Sequence, residues 1–341
     1  MRLRFQFRRY RLPFRVVVRT AHGPWGAREG VMVRLENESG RAGVGEAAPI
    51  PWFGTESVDE IESACRELSE WVEADSLADL PERLGCLRQA VADALAKMTV
   101  EPSESPGLAR VPDLAVAALL PAGRAALAQI SAKAEMGFRV FKWKVGVGDF
   151  DTELGELDDI CGALPEGATL RLDANGAWDV RRAARWLERC ADRPVEFLEQ
   201  PIAADARGAQ DMLLGLAGDF PTPIALDESV VCDGDVERWL GAGWSGVFVL
   251  KPSLLGDPAK TIERLLAAKA PVVFSSALET AVGAQVALKF AFAWKGERRA
   301  LGFGVWPLFA DARFDGPYTT PFLSQAEVER IDPEVLWNAL S

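Results

Sequence analysis

Short apolar runs, each ending in a charged residue, recur through most of this chain, and their spacing restricts the fold more than any other feature. They end at Lys144, Asp173, Glu199, Asp227 and Lys251, one about every 24–29 residues. A buried strand, a turn, a helix and a second turn occupy about that length, because parallel neighbours need a helical crossover. Strand-like runs fall at 113–120, 138–144, 169–173, 195–199, 223–227, 246–251, 272–276 and, more raggedly, 300–305. Helical patterns separate them, for example at 178–190 and 257–268. The rhythm predicts an α/β chain whose main domain, 108–315, is a (β/α) barrel of seven to eight units.

The first hundred residues have a different texture and predict an α+β N-terminal capping domain over 1–102. Alternating segments at 2–10, 14–19, 30–36 and 43–46 read as antiparallel strands, with a turn at Asn37–Gly40. Ser57 and Glu60 fit a capping box that starts a helix with Ile61, Ala64, Cys65, Leu68 and Trp71 on one face. A second helix is expected near 80–98, and the Pro- and Gly-containing stretch 101–107 as a linker. The polar segment 316–341 is expected to pack back on the capping domain. Residues 19–30, glycine-rich and carrying His22 and Trp25, read either as a mobile lid over the barrel mouth or as a plain surface loop.

Composition removes several function classes. A net charge of −12 over 341 residues opposes a nucleic-acid partner, and no apolar run approaches the roughly 18–20 residues that span a bilayer. The start alternates charged and apolar residues, which suits a strand rather than a signal peptide. Five scattered cysteines fit reduced thiols in a cytoplasmic protein. His22 is the only histidine, so a Ser-His-Asp triad or a histidine-ligated zinc would have to use it. The expected partner is a small-molecule carboxylate, with neither nucleic acid nor membrane; oligomeric state is left open.

Alternation along a strand puts Lys142 and Lys144 on one face and Phe141, Trp143 and Val145 on the other. A Lys-x-Lys pair can lie on a solvated edge strand, but burying Phe141 and Trp143 against helices would turn the lysines into the barrel. There, mutual repulsion would depress the pKa of one and make it a usable base. Asp173, Glu199 and Asp227 could each cap a helix. Three acids in succession at the strand ends, the face where barrel enzymes hold their sites, favour a hard cation such as Mg²⁺. Asn175 and Glu228 would then hydrogen-bond the ligands from behind. Lys251 ends a buried strand across the barrel from Lys144, where an idle ammonium would be costly. Arg171, on the face of Asp173, could pair with the ligating acids or with substrate. Ser275 and Ser276 could bind a substrate carboxylate or simply satisfy loop backbone. Gly146-Val-Gly148 is a fragment of a phosphate-binding loop without the full motif.

Taken together, Lys-Trp-Lys (142–144), Leu-Asp-Ala-Asn (172–175), Leu-Glu-Gln-Pro (198–201), Leu-Asp-Glu-Ser (226–229), Leu-Lys-Pro (250–252), Ser-Ser-Ala-Leu-Glu-Thr (275–280) and Gly-Val-Gly-Glu-Ala-Ala-Pro-Ile-Pro (43–51) resemble the enolase superfamily. The resemblance is to its muconate-lactonizing subgroup and, within that, to the o-succinylbenzoate synthases. It implies Mg²⁺, with Mn²⁺ as a substitute, held by Asp173, Glu199 and Asp227. It further implies Lys144 as acid/base, Lys142 as its electrostatic neighbour, and Lys251 on the other side of the reacting ring. The implied reaction is a lyase step toward menaquinone or phylloquinone: syn-dehydration of 2-succinyl-6-hydroxy-2,4-cyclohexadiene-1-carboxylate to 2-succinylbenzoate. The alternatives are an N-succinylamino acid racemase, or another enzyme of the subgroup, and a barrel that only binds anionic metabolites. No Asp-x-Asp follows the seventh strand, which counts against dipeptide epimerases; Ala277 stands where the synthases often carry a third serine.

Overall fold

The computed structural model describes residues 1–20, 23–99 and 111–340. His22 and the expected linker at 101–107 lie outside them. The N-terminal unit is a four-stranded antiparallel sheet in the order β3-β2-β1-β4, built from β1 (Arg2–Thr20), β2 (Gly23–Asn37), β3 (Ala42–Ala47) and β4 (Trp71–Glu73). Its helices are α1 (Val58–Glu67), opened by the Ser57–Glu60 capping box, and α2 (Gly85–Thr99). One face of the sheet buries Leu3, Phe5, Val31, Val33 and Leu35 against Ile61, Leu87 and Ala94. Gly45 and Gly43 let α2 sit on β3, because a Cβ at either would collide with the carbonyls of Ala90 or Ala94.

Three details differ from the sequence-based expectation. The two segments 2–10 and 14–19 form one strand, irregular only between Pro13 and Val18. Residues 23–30, expected as part of a lid or surface loop, belong to β2 and pair with β1 through Val18–Trp25 and Thr20–Gly23, so 23–30 is strand. The second helix begins at Gly85 rather than near 80, since Pro81 forces Leu80 into extended geometry (φ −56°, ψ 135°).

After β5 (Leu114–Ala115), a parallel sheet curls through β6 (Ala118–Leu120), β7 (Val140–Lys144), β8 (Thr169–Asp173), β9 (Val195–Glu199), β10 (Ile224–Leu226), β11 (Val247–Leu250) and β12 (Val272–Phe274) in sequential order. The connecting helices are α3 (Leu127–Glu135), α4 (Phe150–Ala163), α5 (Val180–Cys190), α6 (Ala209–Asp219), α7 (Asp233–Gly241) and α8 (Pro258–Ala267), with α9 (Ala281–Ala293) after β12. Asp149, Asp179 and Asp257 each cap the helix that follows through a backbone N–H. The eighth position is held by isolated parallel bridges instead of a strand: Leu301 to Val116 on one side and Gly302 to Ser275 on the other. A side chain at 302 would strike Ser275, so glycine permits this closure.

Outward residues of the strands, Phe141, Trp143, Leu170, Leu172 and Phe248, are fully buried against the helices. Trp143, Trp186 and Trp178 stack or meet edge-on there. A smaller apolar plug of Phe197, Ala225, Val247, Val249 and Val273 is buried separately. Beyond it come β13 (Phe322–Leu323), paired with β5, then α10 (Gln325–Glu329) and α11 (Pro333–Ala339). The last helix touches the N-terminal sheet: Arg34 pairs with Glu334 at 2.8 Å and Arg8 donates to the Trp337 carbonyl at 2.5 Å. Among the described residues, no helix is long and apolar enough to cross a membrane, and all five cysteines are unpaired.

Candidate active site

Strand alternation brings Lys142 and Lys144 inward, with Phe141 and Trp143 turned to the helices. Lys142 Nζ lies 2.8 Å from Asp173 Oδ2 and 2.7 Å from Glu199 Oε1, at the ends of β8 and β9. Asp227, one residue past β10, is ion-paired with Lys251, one residue past β11. Lys144 Nζ donates to the Arg19 carbonyl of β1 at 3.3 Å. Sheet order places the Lys144 and Lys251 strands four positions apart in a ring of eight, with the three acid-bearing strands between them. All these groups except Glu199 line one cavity of about 960 Å³ between the strand ends and the N-terminal unit.

The charges there are not balanced. Burial, then the Asp173 charge, raise the Glu199 carboxyl above its usual range despite Lys142. Glu228 is pushed up to about 7 by burial and by Asp173. Burial would lower Lys142, but Asp173 and Glu199 outweigh it and hold the ammonium well above its ordinary value. Lys142 is therefore the charged member of the Lys-x-Lys pair. Across the barrel, Lys251 is lowered to about 8, chiefly by burial. Among the described residues, no three acidic, histidine or cysteine side chains are already converged around an ion position, because the two lysines stand between the acids. The donor set still suits a hard cation: four buried or nearly buried carboxyls crowd together. Behind them, the buried Asn175 Oδ1 and Glu228 Oε2 lack any hydrogen-bond partner.

Support comes from the residues just beyond each acid. Asn175, in the left-handed region at φ 43°, donates to Glu228 Oε1 at 3.0 Å, and its backbone N–H reaches Asp173 Oδ1 at 3.2 Å. Gln200 accepts from the backbone of Asp227 and Ser229 and donates to the Ser229 hydroxyl, which ties the end of β9 to that of β10. Ser275 and Ser276 reach the cavity, yet the Ser275 hydroxyl donates to the Gly302 carbonyl and that of Ser276 to Glu279. Arg171, expected beside the acids or the substrate, lies elsewhere. It neither lines the cavity nor meets the acids above it; it pairs with Glu196 at 2.7 Å, donates to the Ala300 carbonyl and lies over the Phe197 ring. A register shift between Leu170 and Arg171 on β8 brings the β9 neighbour within its reach.

The enolase C-terminal domain-like family model matches residues 125–321, and the MenC N-terminal domain model matches residues 1–87. The o-succinylbenzoate synthase of Thermosynechococcus vestitus is 39% identical over 308 residues, covering 89% of this chain and 92% of that protein. The chain belongs to the o-succinylbenzoate synthase family. A family member from Yersinia enterocolitica is 29% identical, covering 81% of this chain and 82% of its own. The crystal structure of the o-succinylbenzoate synthase from Thermosynechococcus elongatus BP-1, complexed with Mg in its active site, superposes with a TM-score of 0.82 at 37% identity, covering 98% and 99% of the two chains. The L-Ala-D/L-Glu epimerase from Bacillus subtilis shares the fold at 24% identity, with a TM-score of 0.79 and coverage of 94% and 95%.

Several residues that shape the site of this o-succinylbenzoate synthase family member escaped the sequence reading. Glu46 of β3 accepts from Tyr10 and from the backbone N–H groups of Thr280 and Gly283, so a capping-domain carboxylate seats the first turn of α9. Arg28 is buried and donates to the carbonyls of Pro49 and Leu278. Glu279, pushed up to about 7 by burial, accepts from Ser276 and from the Ala277 N–H. Trp52, which follows β3, meets edge-on the Trp25 already noted in the 19–30 segment, and the two indoles line the cavity while Phe14 packs on Trp25 from outside the lining. Among the residues not singled out, the Trp-Phe pair at 52–53 beside Pro51 offered a local hint.

Proposed function

We propose that this chain catalyses the syn-dehydration of 2-succinyl-6-hydroxy-2,4-cyclohexadiene-1-carboxylate to 2-succinylbenzoate, with Lys144 as acid/base and the N-terminal unit as a cap. The observation that carries this reading is the placement of two lysines four strands apart, with three carboxylates on the strands between them. Lys144 would take the proton from the ring carbon bearing the carboxylate. The same proton would then leave with the neighbouring hydroxyl as water, on the same face, as the C–O bond breaks and the ring becomes aromatic. Lys251 faces the other side of the ring as a cation over Phe53 (5.2 Å). Asp173, Glu199 and Asp227 are the residues that would hold Mg²⁺, or Mn²⁺ in its place. When bound, such an ion supplies positive charge to the substrate carboxylate, which makes the adjacent proton more acidic. The apolar wall of Trp25, Trp52 and Phe53 excludes water from the ring.

The test is loss of the diene absorbance on adding purified protein, stopped by EDTA and restored by Mg²⁺. Absence of turnover with Mg²⁺ present would overturn the reading. A second reading, racemisation of N-succinylamino acids, is favoured by one observation: Lys251, lowered to about 8, could also act as a base on the opposite face. Solvent deuterium entering the α-carbon of an N-succinylamino acid as fast as the diene is consumed would promote it.

A further inference from the structure

The Gly146-Val-Gly148 fragment does not cradle a phosphate; its three successive backbone N–H groups are all taken by one side chain. Glu153, buried in the first turns of α4, accepts from Gly146 at 2.7 Å, Val147 at 3.1 Å and Gly148 at 2.8 Å. Consecutive N–H groups turned to one point form a concave anion site, and here the anion belongs to the chain. The loop so held begins two residues after Lys144 and lines the cavity through Val145, Gly146 and Val147. Its other side is pinned to the next strand: the Val145 N–H donates to the Asp173 carbonyl at 2.9 Å. Gly146, at φ 75°, packs so closely on the 174–178 loop that a Cβ would come within 2.7 Å of Ala177.

We propose that Glu153 is a positioning residue for the reaction. Its carboxylate locks the loop that follows Lys144 against the loop that carries Asp173 and Asn175, and so sets the distance between base and acids. Helix-capping alone does not account for it, because Asp149 already caps α4 through Thr152. The role rests on the dehydration reading above. A loss of lock would displace Lys144 from its reacting position and slow the chemistry more than it weakens binding.

Wild type, Glu153→Gln and Glu153→Ala are to be assayed on the diene, with folding followed by circular dichroism and thermal melting. Glu153→Gln keeps the size but brings an amide N–H₂ toward N–H donors; a folded variant with kcat lowered about 10–100-fold and KM within about threefold is expected. In Glu153→Ala the three donors are vacant, so added formate should raise kcat about tenfold in a saturable way, without effect on wild type. The role is overturned if folded Glu153→Gln turns over like wild type. It is overturned equally if formate raises activity only in step with the folded fraction, or if neither variant folds, which would leave Glu153 a purely structural residue. Inactive wild type would instead end the dehydration reading, and this role with it.

Discussion

Glu196 and Glu199 leave the same strand three residues apart and enter two very different charged layers. In the lower layer, burial would raise Glu196, but Arg171 at 2.7 Å and Arg299 at 2.8 Å outweigh it and hold the carboxyl below its usual range. In the upper layer, burial and Asp173 raise Glu199 in spite of Lys142. One acid between two guanidiniums is satisfied by the chain itself. Four acids against three lysines are not, and that surplus is where a cation and an anionic substrate would complete the structure. Buried charge therefore serves two purposes in one barrel, and only the balance of partners separates them.

The sharpest break between the layers should appear on removing the Lys144 amine. Lys144→Ala is expected to lower kcat for diene consumption by about 10²–10⁴-fold while leaving the melting temperature nearly unchanged. Comparable activity in that variant would end the acid/base role. Arg171→Met should show the inverse pattern. Removing one partner of a buried pair costs about 3–5 kcal/mol in denaturant unfolding, yet turnover per folded molecule should fall far less.

Mg²⁺ should stabilise the upper layer alone. At about 100 times its dissociation constant an ion adds about 2.7 kcal/mol, and Asp227→Asn should abolish most of that gain while Glu196→Gln should not. The smallest effect concerns Glu279. Its folded pKa of about 7 lies above the ordinary value of 4.5, so between these pH values the folded chain binds more protons at this site than the unfolded one. Its contribution to stability is full below about pH 4.5 and is lost as pH rises through 7. Glu279→Gln should remove that slope, a difference on the order of 1–3 kcal/mol between wild-type and variant unfolding curves measured from pH 4.5 to 8. Parallel curves would show that Glu279 titrates normally.

Much of the barrel was legible because its signals are local. A strand's period of two turns Phe141 and Trp143 one way and the two lysines the other, and the strand–helix length sets the distance between charged ends. The eighth position was ragged in sequence and is ragged in space, two bridges at Leu301 and Gly302. The small domain was less legible. Its glycines at 23, 26 and 30 suggested a loop, as a lid or as plain surface, whereas 23–30 pairs with β1 as strand and Trp25 lines the cavity.

Residue type and spacing determined that three acids and three lysines would sit at the ends of neighbouring strands, since side-chain direction follows from backbone geometry. Tertiary structure alone decided which charges are quenched. The β8 shift that gives Arg171 to Glu196, the grip of Glu46 on α9 from 234 residues away, and the three amides around Glu153 depend on register and approach. The physical reason is that a charge's energy depends on its partners within a few ångströms and on the water excluded around it, and neither is a property of neighbours along the chain.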